Sequence, residues 1–181
     1  MLDNAVLLAS AKCRSESDGG FSLQTPMSLL IAKADHESLR RQAEQAYPEE
    51  CCGILLGSTT AGERHVRTIV PCRNTRVGDA HKRFEIDPAE LVRVQREARE
   101  SGTKILGFYH SHPDHPPQPS PTDLEHAHWI GCSYVIVGVA QGKATETRSF
   151  LLTGTREEDK RFVEEALLVD GYSRVESQPD S

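Results

Sequence analysis

The chain has 181 residues, of which 37% are hydrophobic, and its formal net charge at pH 7 is −6. This length is typical of a single domain with room for a core. The acidic balance argues against a nucleic-acid-binding protein, which would normally carry a basic stripe, and no segment reaches the roughly eighteen apolar residues of a membrane span.

Cysteine usage indicates a reducing compartment. The five cysteines are an odd number, Cys51 and Cys52 are adjacent, and no two of them form a C-x-x-C pair. Neither a disulfide framework nor a cysteine-rich zinc knuckle fits this pattern. The apolar run at residues 5–9 lacks a basic flank and is shorter than a signal-peptide core. We therefore expect a cytoplasmic protein without membrane or nucleic-acid partners.

The two ends are predicted to be flexible tails around one domain. Residues 1–27 show no periodicity and include a stretch rich in serine, glycine and acidic residues, which is typical of a solvated segment. Residues 171–181 are polar and are expected to fray. The domain is therefore placed at residues 28–170, and Met27 is an alternative start that the sequence leaves open.

Strands and helices are predicted to alternate along the domain, which indicates an α/β fold with a mixed sheet. Helices are indicated by apolar residues at helical spacing, with Asp35 and Asp87 as N-caps and Pro48 and Gly102 beyond the ends. In chain order we predict a strand at 29–32, a helix at 35–47, strands at 51–57 and 64–70, a loop at 71–82, a strand at 83–86, a helix at 87–101, a strand at 104–112, a proline-rich loop at 113–119, a helix to about residue 130, strands at 133–140 and 144–152, and a helix at 156–169.

The strand at 104–112 ends in two histidines, His110 and His112, which project to the same side because strand side chains alternate. Asp123 follows the proline-rich loop and falls in the first turn of the next helix. Taken singly, each of these residues has an ordinary explanation, such as packing or a helix N-terminal carboxylate. Together they make two imidazoles and a carboxylate, a set that zinc takes in catalytic sites while leaving a position for water.

Hydrolysis at such a site also needs a base and a donor to the oxyanion. The pair Glu49 and Glu50, at the head of an apolar strand, offers a carboxylate base, although both side chains could equally be solvated charges, and for Glu49 we prefer that interpretation. Ser120 lies between the histidines and Asp123 and could donate to an oxyanion. Capping of the following helix is an equally good explanation of this serine.

The spacing of these residues resembles a known family. His110-x-His112, seven residues, Ser120, two residues and Asp123 is similar to the H-x-H-x7-S-x-x-D signature of the JAMM (MPN+) zinc metalloproteases. The segments at 48–53, 83–88 and 107–113 also resemble that family, over roughly residues 28–152. In the family the catalytic glutamate lies three residues before a glycine, which selects Glu50 here.

The resemblance implies a cytidine-deaminase-like three-layer α/β/α sandwich. It also implies that His110, His112 and Asp123 bind one zinc ion with a water, that Glu50 is the acid/base, and that Ser120 stabilises the oxyanion. The chain looks similar to the stand-alone prokaryotic members, which implies a peptidase cutting after the Gly-Gly end of a ubiquitin-like sulfur-carrier protein and releasing cysteine or other C-terminal residues.

Two other functions are left open. The first is an isopeptidase, or deubiquitinase-like enzyme, acting on ubiquitin-like conjugates. The second is a non-catalytic MPN-type binding module, against which the complete ligand set argues. A Gly-Gly tail has no side chains and could add as a strand beside a sheet edge, with residues 77–82 shaping the groove. The role of His115 and the formation of a homodimer are also left open.

Overall fold

The structure is a computed structural model that describes residues 28–170. The two predicted tails, together with Met27, lie outside the described residues. Within the described range, no helix is both long and apolar enough to cross a membrane. The elements are β1 (Ser28–Ala32), α1 (Lys33–Ala46), β2 (Cys52–Thr60), β3 (Glu63–Cys72), α2 (Pro88–Glu100), β4 (Lys104–Pro113), α3 (Pro121–His126), β5 (Ser133–Ala140), β6 (Lys143–Thr153), a 3₁₀ turn (Glu157–Asp159) and β7 (Arg161–Asp170).

The seven strands form one mixed sheet in the order β1-β3-β2-β4-β5-β6-β7. Strand β4 lies between β2, which is antiparallel to it, and β5, which is parallel. Strand β7 pairs back onto β1, so the sheet closes on itself. The predicted α/β class with a mixed sheet is confirmed. The finer prediction, a three-layer, cytidine-deaminase-like sandwich, is not confirmed. The sheet closes on itself through the pairing of β1 with β7.

Two apolar clusters hold the helices against this sheet. Leu39 and Ala43 of α1 pack into one cluster with Tyr109 of β4. Val94 and Ala98 of α2 pack into the other, which contains the second face of β4 and β5. The helices use the periodic apolar positions that the sequence predicts, because residues three and four apart share one face. Strand β4 is consequently covered on both faces and is buried along nearly its whole length.

A β-bulge in β4 changes which residues share a face. Leu55 of β2 lies opposite Gly107, whereas the next residue of β2 lies opposite Ile105, so Leu106 is the extra residue. Leu106 therefore packs in the cluster of Tyr109, and Ile105 packs in the cluster of Phe108. The strict alternation expected for 104–112 is wrong at these two positions and correct from Phe108 onward.

The C-terminal helix predicted at 156–169 is wrong. Apart from one 3₁₀ turn, this segment is strand β7, which is antiparallel to β6 and parallel to β1. Its glutamate, alanine and leucine residues favour a helix intrinsically, but two neighbouring strands supply the backbone hydrogen bonds. The strand also points Glu165 inward to an ion pair with Arg64, in which both side chains are 3% exposed.

Three smaller predictions are also corrected. Residues 83–86 do not form a strand, because Glu85 is hydrogen-bonded to Asn74 and Thr75 in an irregular segment. The N-cap of α1 is Ala32, so Asp35 lies in the first turn. Helix α3 ends at His126 rather than near residue 130.

Candidate metal centre

Strand β4 brings His110 and His112 to one face, as period-two alternation requires, and the start of α3 brings Asp123 against them. The Nε2 atoms of the two histidines are 3.0 Å apart. Asp123 Oδ1 lies 3.3 Å from His110 Nε2, and Oδ2 lies 3.4 Å from His112 Nε2. One ligand atom from each of the three residues falls within 4.8 Å of the others. The structure thus brings together the three residues predicted as metal ligands.

Asp123 is held by the local geometry of the helix start. The backbone N–H of Ser120 donates to Asp123 Oδ2 at 2.6 Å, and the backbone N–H of Asp123 donates to Ser120 Oγ at 3.1 Å. This reciprocal arrangement is a capping box. The helix-capping explanation of Ser120 is therefore correct. Its hydroxyl accepts in this bond, so its own hydrogen is available to donate elsewhere.

The two histidines have different surroundings. His112 Nδ1 lies 3.0 Å from the carbonyl oxygen of Pro116. A carbonyl can only accept, so Nδ1 carries a proton, and Nε2 is the nitrogen that faces Asp123. The ring of His110 stacks on Phe84 with centroids 4.7 Å apart, and its Nδ1 is buried without a hydrogen-bond partner among the described residues. The proline-rich loop therefore sets the orientation of one ligand, and packing against Phe84 holds the other.

Charge and burial act on these groups in opposite directions. Burial lowers the pKa of His110. Burial also disfavours the charged form of His112, but the Asp123 carboxylate and the Pro116 carbonyl outweigh it and raise the pKa of His112. For Asp123, burial disfavours ionisation, yet the hydrogen bonds from both histidines hold its pKa well below the usual range. Asp123 is consequently ionised at neutral pH, as a metal ligand must be.

Glu50 lies two residues before the start of β2. Cys52 lies opposite His110 in the β2–β4 ladder. The backbone N–H of Ser111 donates to the Cys51 carbonyl at 3.2 Å, and the backbone N–H of Cys51 donates to Ser111 Oγ at 2.9 Å. This register places Glu50 across from His112. The Glu50 side chain is 5% exposed, and its Oε2 has no hydrogen-bond partner within residues 28–170. Burial raises the pKa of Glu50 to about 8, and the charges of His112 and Asp123 also act on it.

Asn74, which sequence reasoning missed, fixes the backbone around Glu50. Its Nδ2 donates to the carbonyls of Glu50 and Arg83, each at 3.1 Å. Its Oδ1 accepts from the backbone N–H of Arg76 at 3.0 Å and of Glu85 at 3.1 Å. One side chain thereby joins the glutamate to the segment that carries Phe84, which stacks on His110. The only signal in the sequence was an asparagine in a polar loop, which normally indicates a turn.

The other residues considered from the sequence are not part of the cluster of ligand atoms. Glu49 is exposed, as are His115, His126 and His128. The described cysteines are buried and form no disulfide with one another, as small apolar residues in a core would: Cys51, Cys52, Cys72 and Cys132. Within the segment at 77–82, the Ala80 carbonyl accepts from the Glu50 N–H at 2.8 Å. That segment therefore borders the site, as a groove wall would.

The residues present fit a divalent cation. Two imidazole nitrogens and one ionised carboxylate converge in a buried site, and this donor set suits zinc with an open coordination position. A cation there would also interact favourably with the unpartnered Glu50 carboxylate, directly or through water. In chemical terms, the arrangement combines a metal-binding triad with a buried carboxyl whose proton affinity is raised toward neutrality.

The sequence matches a family model described as prokaryotic homologs of the JAB domain over residues 32–153. It is 39% identical over 89 residues to the desampylase of Haloferax volcanii, a match that covers 49% of this chain and 62% of that protein. It is 32% identical over 133 residues to a probable TtuB-protein conjugate cleaving protease of Thermus thermophilus, covering 74% and 78%. The match to the Mycobacterium tuberculosis CysO-cysteine peptidase is 28% over 125 residues, covering 67% and 82%. The chain thus spans less than two thirds of the first of these relatives.

The structure also resembles solved structures of other proteins. A protein from Desulfitobacterium hafniense superposes with a TM-score of 0.71 at 27% identity, covering 84% of this chain and 99% of that one. A protein from Salinibacter ruber gives a TM-score of 0.57 at 32% identity, covering 82% and 94%. Each of these structures matches more than four fifths of this chain, and the family match at residues 32–153 includes β4 and α3, which carry the ligand triad.

Proposed function

The chain belongs to the family of prokaryotic homologs of the JAB domain, and from this membership we propose that it is a zinc-dependent peptidase. Its substrate is a small ubiquitin-like or sulfur-carrier protein, cut after a C-terminal Gly-Gly. The observation that carries the proposal is the convergence of His110, His112 and Asp123 beside the buried carboxyl of Glu50. Relatives named as a desampylase, a conjugate cleaving protease and a CysO-cysteine peptidase support the kind of substrate.

His110, His112 and Asp123 hold the zinc ion in this proposal. When bound, the ion supplies Lewis acidity, which polarises a carbonyl and lowers the pKa of water toward neutrality. The Pro116 carbonyl keeps the proton of His112 on Nδ1, so that Nε2 remains a ligand atom. Outer hydrogen bonds of this kind orient metal ligands and raise their basicity.

Glu50 acts as the acid/base. Its carboxylate takes a proton from the attacking water and returns it to the leaving nitrogen. A cation held by the triad would stabilise the ionised form of Glu50 that this step requires. Asn74 and the Ser111–Cys51 hydrogen bonds hold its backbone in place. Ser120 has a hydroxyl hydrogen not used in the capping box, and it donates to the oxyanion of the substrate carbonyl.

A second function uses the same residues on a different bond. Two relatives carry names that refer to conjugates or to desampylation, which favours an isopeptidase on ubiquitin-like conjugates as the alternative. The chemistry at Glu50 and the ligand triad is common to both functions, and only the group bonded to the terminal glycine differs. A non-catalytic binding module would have no use for a buried, unpartnered Glu50 carboxyl.

The test combines metal analysis with a cleavage assay. Purified protein is expected to hold about one zinc per chain and to cleave a carrier protein extended beyond its Gly-Gly, detected by mass spectrometry. His110→Ala should lose both the metal and the activity. His65→Ala is the matched control, because His65 lies on β3 beside Glu63, with His65 Nε2 3.5 Å from Glu63 Oε2, and it lines neither the metal centre nor the pocket. A wild-type protein without zinc and without cleavage would refute the proposal.

A further inference from the structure

An apolar pocket of about 320 Å³ opens beside the candidate metal centre. It lies between α2, the segment after α3 and the irregular segment that carries Phe84. Its larger apolar side chains are those of Phe84, Ile86, Leu91, Phe108, Trp129 and Tyr134. His110 and Asp123 line the same pocket, so a group bound in it would lie directly next to two of the metal ligands.

Two arginines also line this pocket, and neither is fully paired. Among the described residues, the side chain of Arg83 makes no ion pair or hydrogen bond. Arg76 has Glu85 at 3.8 Å as its ion-pair partner, and its Nε is buried without a hydrogen bond. Glu85 lines the pocket too and offsets one of the two positive charges. Asp123, the other carboxylate of the lining, is assigned to the metal, so the Arg83 side chain is the cation left to pair with a carboxylate on the bound group.

We propose that the pocket binds the residue released by cleavage, namely a C-terminal amino acid with a bulky apolar side chain. Its side chain fills the aromatic lining, and its free carboxylate pairs with Arg83 and Arg76. This inference rests on the proposed peptidase function and narrows it to carriers that end in Gly-Gly followed by one large apolar residue. Water adds its oxygen to the glycine carbonyl carbon, the C–N bond breaks, and a proton passes to the nitrogen of the released amino acid.

Size and polarity favour this occupant over smaller or longer ones. The volume lies at the low end of the range for ligand sites, which suits a group of amino-acid size. A cysteine or alanine side chain would leave most of the aromatic surface without contacts, and such voids forfeit dispersion energy. A lysine joined through its Nζ would place a polar chain in the apolar lining and would bring no free carboxylate to Arg83.

Binding can be measured without turnover in the zinc-loaded Glu50→Gln protein. The probes are the peptides Gly-Gly-Phe, Gly-Gly-Ala and the C-terminal amide of Gly-Gly-Phe, titrated by calorimetry. Trp129 is the only tryptophan of the chain and lines the pocket, so its fluorescence reports occupancy in parallel. We expect Gly-Gly-Phe to bind at least tenfold more tightly than either of the other two peptides. Equal affinities for Gly-Gly-Phe and Gly-Gly-Ala would overturn the proposal.

Two pairs of further variants test which residues recognise the carboxylate and which recognise the apolar side chain of the peptide. Arg83→Gln should lower the affinity for Gly-Gly-Phe about tenfold without changing that of the amide, whereas Arg96→Gln, an exposed position on α2, should change neither. Leu91→Phe reduces the pocket and should lower the preference for Gly-Gly-Phe over Gly-Gly-Ala at least fivefold. Val92→Phe is its control, because the neighbouring Val92 is 65% exposed and does not line the pocket. An Arg83→Gln protein that still distinguished the acid from the amide would contradict the carboxylate assignment.

Cleavage by the unmodified enzyme separates this inference from the proposed function. Carriers ending in Gly-Gly-Phe should be cut with a kcat/KM at least tenfold above carriers ending in Gly-Gly-Ala. If all extended carriers are cut at equal rates, the pocket inference fails and the peptidase function stands. If no extended carrier is cut and no zinc is bound, the proposed function itself fails.

Discussion

Replacing Glu50 by glutamine removes the buried carboxylate and keeps the size and shape of the side chain. If Glu50 is the acid/base, the variant should keep about one zinc per chain and lose at least a hundredfold in kcat, because general acid–base catalysis contributes about 10²–10⁴-fold. The matched control is Glu49→Gln, the same chemical change one residue earlier at an exposed position. It should retain both zinc and turnover.

The same substitution has a second consequence, for stability in the metal-free protein. The Glu50 carboxyl titrates near 4.5 in the unfolded chain, and burial raises its pKa to about 8 in the folded protein. Between these pH values the unfolded chain has lost the proton that the folded protein still holds. Raising the pH through this window therefore favours unfolding, and the stability contributed by the raised pKa is lost as the pH passes about 8.

The size of the effect follows from the pKa difference. A change from 4.5 to about 8 corresponds to an upper bound of about 5 kcal/mol. Glutamine does not titrate, so Glu50→Gln should match wild type near pH 4.5 and become more stable by several kcal/mol at pH 8.5. The other titrating groups are present in both proteins, and of these His112 and Asp123 interact electrostatically with Glu50.

Urea unfolding in the presence of a chelator, repeated from pH 4.5 to 8.5, measures this difference. The Glu49→Gln protein should follow wild type within about 0.5 kcal/mol at every pH. A stability difference between Glu50→Gln and wild type that stayed constant with pH would refute the assignment of Glu50 as a buried carboxyl of raised pKa. Loss of zinc together with turnover would refute its role as the base.

Three further substitutions test other parts of the site and fold. Asp123→Ala should abolish the rise in melting temperature that zinc produces in the wild type. In the wild type, free zinc at 100 times its Kd raises the free energy of unfolding by about 2.7 kcal/mol. A rise that persisted in the variant would exclude Asp123 as a ligand. Asn74→Ala removes four hydrogen bonds and should lower kcat at least tenfold with little change in KM. Thr75→Ala is the control, because it removes one hydrogen bond and should leave kcat within about twofold of wild type. Equal losses of kcat in the Asn74 and Thr75 variants would contradict the role of Asn74 in positioning Glu50. Glu165→Ala leaves Arg64 buried without its partner and should cost about 3–5 kcal/mol in urea unfolding, whereas Glu164→Ala, at an exposed position, should cost less than about 1 kcal/mol. Equal costs would contradict the β7 register.

The candidate ligands could be found from the sequence because their geometry is largely local. Period-two alternation puts His110 and His112 on one face of any strand, whatever lies beside it. The spacing of Ser120 and Asp123 forms a capping box within a single helical turn. These short-range rules set the orientation of each ligand, and the structure then brings the start of α3 against β4, so that the three ligands converge.

Strand β7 shows where local reasoning fails. Phe162, Ala166 and Val169 recur at helical spacing, and the intervening glutamates and leucines favour a helix. The segment is a strand because β6 and β1 pair with its two edges, and because Glu165 meets Arg64 from β3. Each of these partners is distant in sequence, so the preference of the segment itself could not reveal the result.

Around the metal centre, the sequence by itself determined the donor set: two imidazoles on one strand face and a carboxylate fixed at a helix start. Tertiary structure alone decided what surrounds it. The carboxyl of Glu50 comes to lie opposite His112 through strand pairing across about sixty residues of chain, and Asn74 joins it to the segment of Phe84. The physical reason is that hydrogen bonds between distant backbone groups and the desolvation of a carboxyl exist only once the chain has closed around them.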